Sequence, residues 1–157
     1  MKKLPVDVQS ITKMLTEGYT YVDKTAFVYQ LIQDHASNYF LSRPRRFGKS
    51  LFIDTMAEIL KGNKELFKDC AIYHTDYQWP IHHVLNFDLS NIDNDSPEEL
   101  KAGLNALITK MGKEHGISID TPLLKFNMQV LIEGLYQKYG KIVILVDEYD
   151  HPIIDNL

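Results

Sequence analysis

The sequence is poor in the features that mark secreted, membrane or nucleic-acid-coating proteins. Its one cysteine, Cys70, cannot form an internal disulfide, which agrees with a reducing compartment. The longest aliphatic run, residues 142–146, is far too short to cross a bilayer, and the N-terminus shows no apolar stretch typical of a signal peptide. The net charge of -4 argues against a surface built wholly to hold nucleic acid. We therefore expect a cytoplasmic protein without membrane segments.

What the chain does contain is enough apolar material for a core. Its 157 residues are 45% hydrophobic and 24% charged, which is typical of one globular domain covering residues 1–157. Apolar spacing predicts strands at residues 38–41, 83–89 and 142–146. The third of these is entirely aliphatic, as in strands that are buried on both faces of a parallel sheet.

Helices are predicted between and around these strands. The first carries apolar residues at 27, 28, 31 and 32 and is expected to be capped by Asp23 or Thr25. A second covers residues 52–60, and a third follows the capping signal Ser-Pro-Glu-Glu at residues 96–99. A fourth opens at Thr121, with five apolar residues expected to face inward: Leu123, Phe126, Val130, Leu131 and Leu135. Alternating strands and helices predict an α/β fold with a parallel sheet.

A dense cationic segment lies between the first strand and the second helix. It reads Arg43, Pro44, Arg45, Arg46, Phe47, Gly48, Lys49 and Ser50. Apart from its first position, where Arg43 replaces a glycine, it fits the phosphate-binding pattern G-x-x-x-x-G-K-[ST]. Gly-Lys-Ser alone is a common chance match, but a strand before it and a helix after it supply the context of a phosphate loop.

Residues 43–50 and the end of the third strand together predict a nucleoside-triphosphate site. Ligands of α/β sheets sit at the carboxyl ends of the strands, and both segments follow strands directly. Lys49 is suited to the terminal phosphates, and the Ser50 hydroxyl to Mg²⁺. Asp147 is suited to hold that Mg²⁺, directly or through water, which leaves Glu148 as the base or orienting group for the attacking water.

Other site chemistry is weaker. The histidines show no paired ligand spacing with Cys70, which argues against zinc. Asp88, Asp93 and Asp95 lack the glycine and distal glutamate of a calcium loop and are interpreted as a solvated turn. Residues 149–151 either line the site or begin another helix.

Three segments also carry a family resemblance: residues 21–25 (Tyr-Val-Asp-Lys-Thr), 42–50 and 145–152. In these the chain resembles the AAA-ATPase-like family of bacterial proteins over essentially its whole length. The resemblance implies that Arg43 is a usual variant of the phosphate loop, and that ATP and Mg²⁺ are the cofactors. The preference for ATP over GTP follows from the resemblance alone. Longer members carry a C-terminal nuclease domain, which is a candidate partner.

The resemblance also implies a P-loop NTPase-type sheet in which a later strand lies between the phosphate-loop strand and the Asp147 strand. We therefore expect the chain to be truncated after the Walker B strand, without the sensor residue or arginine finger. An open slot in a sheet predicts pairing with another chain and slow hydrolysis. Two alternatives stay open: a regulatory or interaction module that binds nucleotide without useful turnover, and a phosphotransferase using Asp88 or Asp150. Nucleic acid is one candidate partner of Arg45 and Arg46. The phosphate charge of the bound nucleotide explains these two side chains equally well.

Overall fold

The computed structural model of the chain describes residues 3–5, 8–34, 38–42, 47–92 and 95–149. Over these ranges the fold is of the α/β class, with helices and a small parallel sheet. The helices are α1 (Ile11–Thr16), α2 (Thr25–Gln33), α3 (Lys49–Leu60), α4 (Pro97–Glu114) and α5 (Leu124–Tyr139), and the strands are β1 (His83–Asp88) and β2 (Ile142–Asp147). The chain divides into two compact units, Met1–Val84 and Leu85–Leu157. Among the described helices, none is long and apolar enough to span a membrane.

The first unit packs α1, α2, α3 and two short 3-10 turns around one core. Its fully buried side chains include Ile11, Val28, Ile59, Phe67 and Ile72. A carboxylate on α3 fixes the start of α1, because Asp54 Oδ2 accepts a 2.6 Å hydrogen bond from the backbone N–H of Ile11. The predicted helix over residues 52–60 is confirmed, and it ends where Gly62 takes a positive φ of 80°.

The predicted strand at residues 38–41 is wrong. Residues 38–42 form no ladder with any described strand, and the Phe40 side chain is 74% exposed. The Tyr39 hydroxyl donates to the carbonyl oxygens of Leu31, at 2.8 Å, and of Asp34. The segment therefore folds back along the end of α2, where it satisfies helix carbonyls that lack intrahelical partners.

The expected cap of α2 is also wrong in its position. The N-cap residue is Lys24, whose side chain makes no capping bond, and Thr25 is the first helical residue. Asp23 Oδ1 accepts from the Thr25 N–H at 2.8 Å, so the aspartate closes a turn one residue earlier than a helix cap would.

The second unit packs α4 and α5 against the parallel strands β1 and β2. Its core consists of Leu85, Phe87, Ile108, Met111, Leu131 and Leu135. The capping signal at α4 is confirmed, because Ser96 Oγ accepts from the Glu99 N–H at 3.2 Å. The strands predicted at residues 83–89 and 142–146 are both present, but β2 is not buried on both faces. Ile144 and Val146 are 37% and 42% exposed, since no described element covers that side of β2.

The inward face of α5 differs from the prediction. Phe126 is half-exposed and Leu123, the N-cap residue, is largely exposed, whereas Asn127 is only 1% exposed. Asn127 can be buried because its amide is satisfied. Its oxygen accepts from Thr121 Oγ1 at 2.6 Å, and its nitrogen donates to the Thr121 carbonyl at 2.7 Å and to Asn105 Oδ1 at 3.1 Å.

Candidate functional site

The N-terminus of α3 is the first half of the predicted site. Its N-cap residue is Gly48, which has a left-handed conformation (φ 73°, ψ 34°). The Gly48 carbonyl accepts the first helical hydrogen bond from the Phe52 N–H at 3.0 Å. Glycine adopts this conformation without the steric cost of a β-carbon. The first N–H groups of a helix have no intrahelical partner, and the helix dipole makes this end positive. The first turn of α3 holds no acidic residue.

A small pocket of about 70 Å³ lies beside this helix start. The described residues that line it are Lys24, Phe27, Leu41, Phe47, Gly48, Lys49 and Phe52. Lys49 is the first residue of α3 and is only 9% exposed, which is unusual for lysine. The Phe27 and Phe52 rings pack at 5.9 Å between centroids, so one wall of the pocket is aromatic.

Of the eight residues predicted to bind phosphate, Phe47, Gly48 and Lys49 line this pocket together. Ser50 is the second residue of α3 and is half-buried. The other four, Arg43, Pro44, Arg45 and Arg46, lie outside the described residues.

The acidic pair at the end of β2 is the second half of the predicted site. Asp147 is 9% exposed, and its Oδ1 accepts a 3.0 Å hydrogen bond from the backbone N–H of Glu148. Glu148 is half-buried and has φ of 53°, a left-handed conformation that costs an L-residue about 1–2 kcal/mol. Strain of this kind clusters at functional sites.

The ends of β1 and β2 lie side by side, since the Leu89 N–H donates to the Asp147 carbonyl at 3.2 Å. Asp88 ends β1, is exposed, and accepts from the Ser90 N–H at 2.9 Å, as expected of a solvated turn. Within the described ranges, no group of three or more His, Cys, Asp or Glu side chains is placed to hold a metal ion. Asp93, Asp150 and His151 lie outside those ranges.

The two halves belong to different compact units. The pocket with Lys49 is in Met1–Val84, and the acidic pair is in Leu85–Leu157.

Sequence reasoning gave no role to Lys24, which lines the pocket. The available signal was its position in the Tyr-Val-Asp-Lys-Thr segment that carries the family resemblance. Spacing could not place it beside Gly48, because the two residues are far apart in the chain and meet only through the packing of α2 on α3.

Comparison with known proteins identifies the family. The family described as Predicted AAA-ATPase, AAA-ATPase-like, matches residues 5–157. The chain belongs to this family. The chain is similar to an uncharacterized protein in the vnfD 5′ region of Azotobacter chroococcum mcd 1, with 41% identity over 160 residues. That match covers 99% of this chain and 30% of the relative, so the chain spans less than a third of the relative's length. No solved structure matches the chain.

Proposed function

We propose that this chain binds ATP through residues 43–50 and supplies the phosphate loop and acidic pair of a Mg²⁺-dependent ATPase with a P-loop fold. The observation that supports this most is Gly48 in a left-handed conformation directly before a buried lysine at a helix start. Family membership points the same way, because the family is described as a Predicted AAA-ATPase.

The start of α3 suits an anion on three physical grounds. Its N–H groups lack helical partners, its dipole is positive, and its first turn has no carboxylate to repel phosphate. Gly48 adds close approach, because it presents no β-carbon to the ligand. We assign the backbone of residues 47–50 to holding the phosphate chain.

Lys49 is the proposed cation for the terminal phosphates. It lines the pocket at the helix start and is largely buried, and a charge attracts an anion more strongly there than in bulk water. Magnesium, when bound, neutralises phosphate charge and helps to orient the reacting groups. The residues proposed to hold it are Ser50, through its hydroxyl, and Asp147, through its carboxylate; Mg²⁺ sites use few carboxylates and several waters.

Glu148 is the proposed base for the attacking water. Its backbone N–H is bonded to Asp147, and its left-handed turn fixes the direction in which the chain leaves β2. The two neighbouring carboxylates can then divide the work, one for the metal and one for the proton. Association with a nuclease domain or with a second copy of the chain stays a prediction.

A titration of the chain with ATP and with GTP, each with and without Mg²⁺, tests the proposal. We expect saturable Mg²⁺-dependent ATP binding that Lys49→Ala removes and Lys68→Ala preserves, since Lys68 is exposed and does not line the pocket. Phosphate release is then compared for Glu148→Gln. If that variant binds ATP and releases phosphate at the original rate, the chain is a nucleotide-binding module and not part of an ATPase.

A further inference from the structure

Lys24 reaches the start of α3 from a different element. It is the residue before α2, and it lines the same pocket as Gly48 and Lys49. A β-carbon built on Gly48 would lie 3.8 Å from Lys24 Nζ, so the ammonium group is in contact range of the glycine. Two lysines, one before α2 and one at the start of α3, therefore line one small pocket.

The turn that carries Lys24 is held on both sides. Asp23 Oδ2 accepts from the Ala71 N–H at 2.7 Å, and Thr25 Oγ1 accepts from the Ile72 N–H at 3.1 Å. Thr25 is fully buried. These contacts fix the backbone of Lys24 and leave its side chain exposed.

The charges around the pocket favour an anion. None of the described residues that line it is acidic, and within the described ranges no carboxylate forms an ion pair with Lys24. Lys24 and Lys49 both carry a positive charge and both line this pocket, which favours an anionic ligand over a neutral or cationic one. The pocket volume of about 70 Å³ is several times the roughly 10–15 Å³ that one water needs, so the pocket has room for a small anion.

We propose that Lys24 is a second phosphate-binding lysine of this site, contacting the triphosphate chain of ATP beside the start of α3. This inference rests on the proposed ATP binding. The contact is electrostatic, so it requires a positive charge at residue 24 and does not require the nucleoside.

The test measures dissociation constants of the 157-residue chain for Mg²⁺-ATP and for inorganic tripolyphosphate. Lys24→Gln removes the charge and leaves a polar side chain one atom shorter, and Lys24→Arg keeps the charge. Loss of one charge-assisted contact should weaken both ligands about tenfold in Lys24→Gln, whereas Lys24→Arg should stay within about threefold of the original chain. Lys68→Gln is the matched control and should bind both ligands normally. All variants should unfold at the same temperature.

The outcomes separate this inference from the proposal beneath it. If the original chain binds ATP and Lys49→Ala does not, but Lys24→Gln binds like the original, Lys24 is not a phosphate ligand and the ATP proposal stands. Weaker ATP binding with unchanged tripolyphosphate binding also overturns the inference, because the contact would then be to the nucleoside. Equal losses in Lys24→Gln and Lys24→Arg, with lower melting temperatures, would mean a structural role. If the original chain binds neither ligand, both proposals fail.

Discussion

Gly48 faces the ammonium group of Lys24: a β-carbon on residue 48 would lie 3.8 Å from Lys24 Nζ. The glycine combines two properties, a left-handed backbone (φ 73°) and the absence of a side chain at the pocket wall. The effects of these two properties can be measured separately by comparison with Gly18, which has nearly the same φ of 75° and nothing within 4 Å of its β-carbon position.

We predict that Gly48→Ala and Gly18→Ala each lower the free energy of unfolding by about 1 kcal/mol, since alanine is strained at positive φ. Only Gly48→Ala should also weaken ATP binding, because only its methyl group enters the phosphate pocket. Urea unfolding gives the stabilities, and an ATP titration gives the affinities. Equal loss of affinity in the Gly18→Ala control would mean that backbone strain, and not the pocket, limits binding.

Glu148 carries backbone strain that glycine would relieve. We predict that Glu148→Gly raises the free energy of unfolding by up to about 1 kcal/mol, which is the left-handed penalty less the entropy cost of glycine. Glu148→Gln keeps the β-carbon and should leave stability unchanged. Both variants should lose about a hundredfold in phosphate release from the complete ATPase if Glu148 is the base. Lower stability in Glu148→Gly, measured by urea unfolding, would show that the turn is not strained.

Local signals in the sequence predicted much of the second unit. Ser96 Oγ accepts from the Glu99 N–H and donates to the Glu99 carboxylate. This cap depends on four consecutive residues, so α4 could be placed without knowing its neighbours. The prediction of a strand at residues 38–41 was wrong because a strand, unlike a helix cap, depends on distant residues. A strand needs a partner, and the sequence does not say that Tyr39 bonds to the carbonyl oxygens at the end of α2 instead.

In the candidate site, too, the features that depend on adjacent residues could be predicted, and those that depend on distant residues could not. Gly48 and Lys49 were found from a contiguous motif, and their place at a helix start is confirmed. Lys24 was missed as a pocket residue because its neighbour Gly48 is close only in space. The strain at Glu148 could not be predicted either, since glutamate has no preference for a left-handed backbone.

Asn127 should be essential to the packing of α4 on α5. Leucine at this position has a similar size but leaves the Thr121 carbonyl and the Asn105 amide oxygen without their donor. We predict that Asn127→Leu lowers the free energy of unfolding by about 3 kcal/mol, and that Asn105→Ala, at a half-buried position, lowers it by about 1 kcal/mol. Urea unfolding measures both. A neutral Asn127→Leu would mean that the buried amide contributes no net stability.

Cys70 should be unreactive and should make the fold sensitive to alkali. Burial, with smaller contributions from Asp23 and Asp69, raises the pKa of its thiol from 9.0 to about 11. Between these values the unfolded chain has lost the proton that the folded chain retains, so stability falls as pH rises from 9 to 11. Tyr21 and Tyr77, whose hydroxyl pKa values are also raised, contribute in the same direction at higher pH.

The check compares the original chain with Cys70→Ala. The variant should lose stability less steeply between pH 9 and pH 11. At pH 8, iodoacetamide should alkylate the folded chain about a hundredfold more slowly than the urea-unfolded chain, in proportion to the thiolate present. Rapid alkylation of the folded chain would contradict the buried position of the thiol.

Calorimetric titration of Mg²⁺-ATP into the original chain and into Lys49→Ala tests the central claim most directly. We predict saturable binding with one ATP per chain, and loss of that binding in Lys49→Ala while its helix content and melting temperature are unchanged. Equal binding by the two proteins, or no binding by the original chain at millimolar ATP, would contradict the assignment of the α3 N-terminus as a phosphate site.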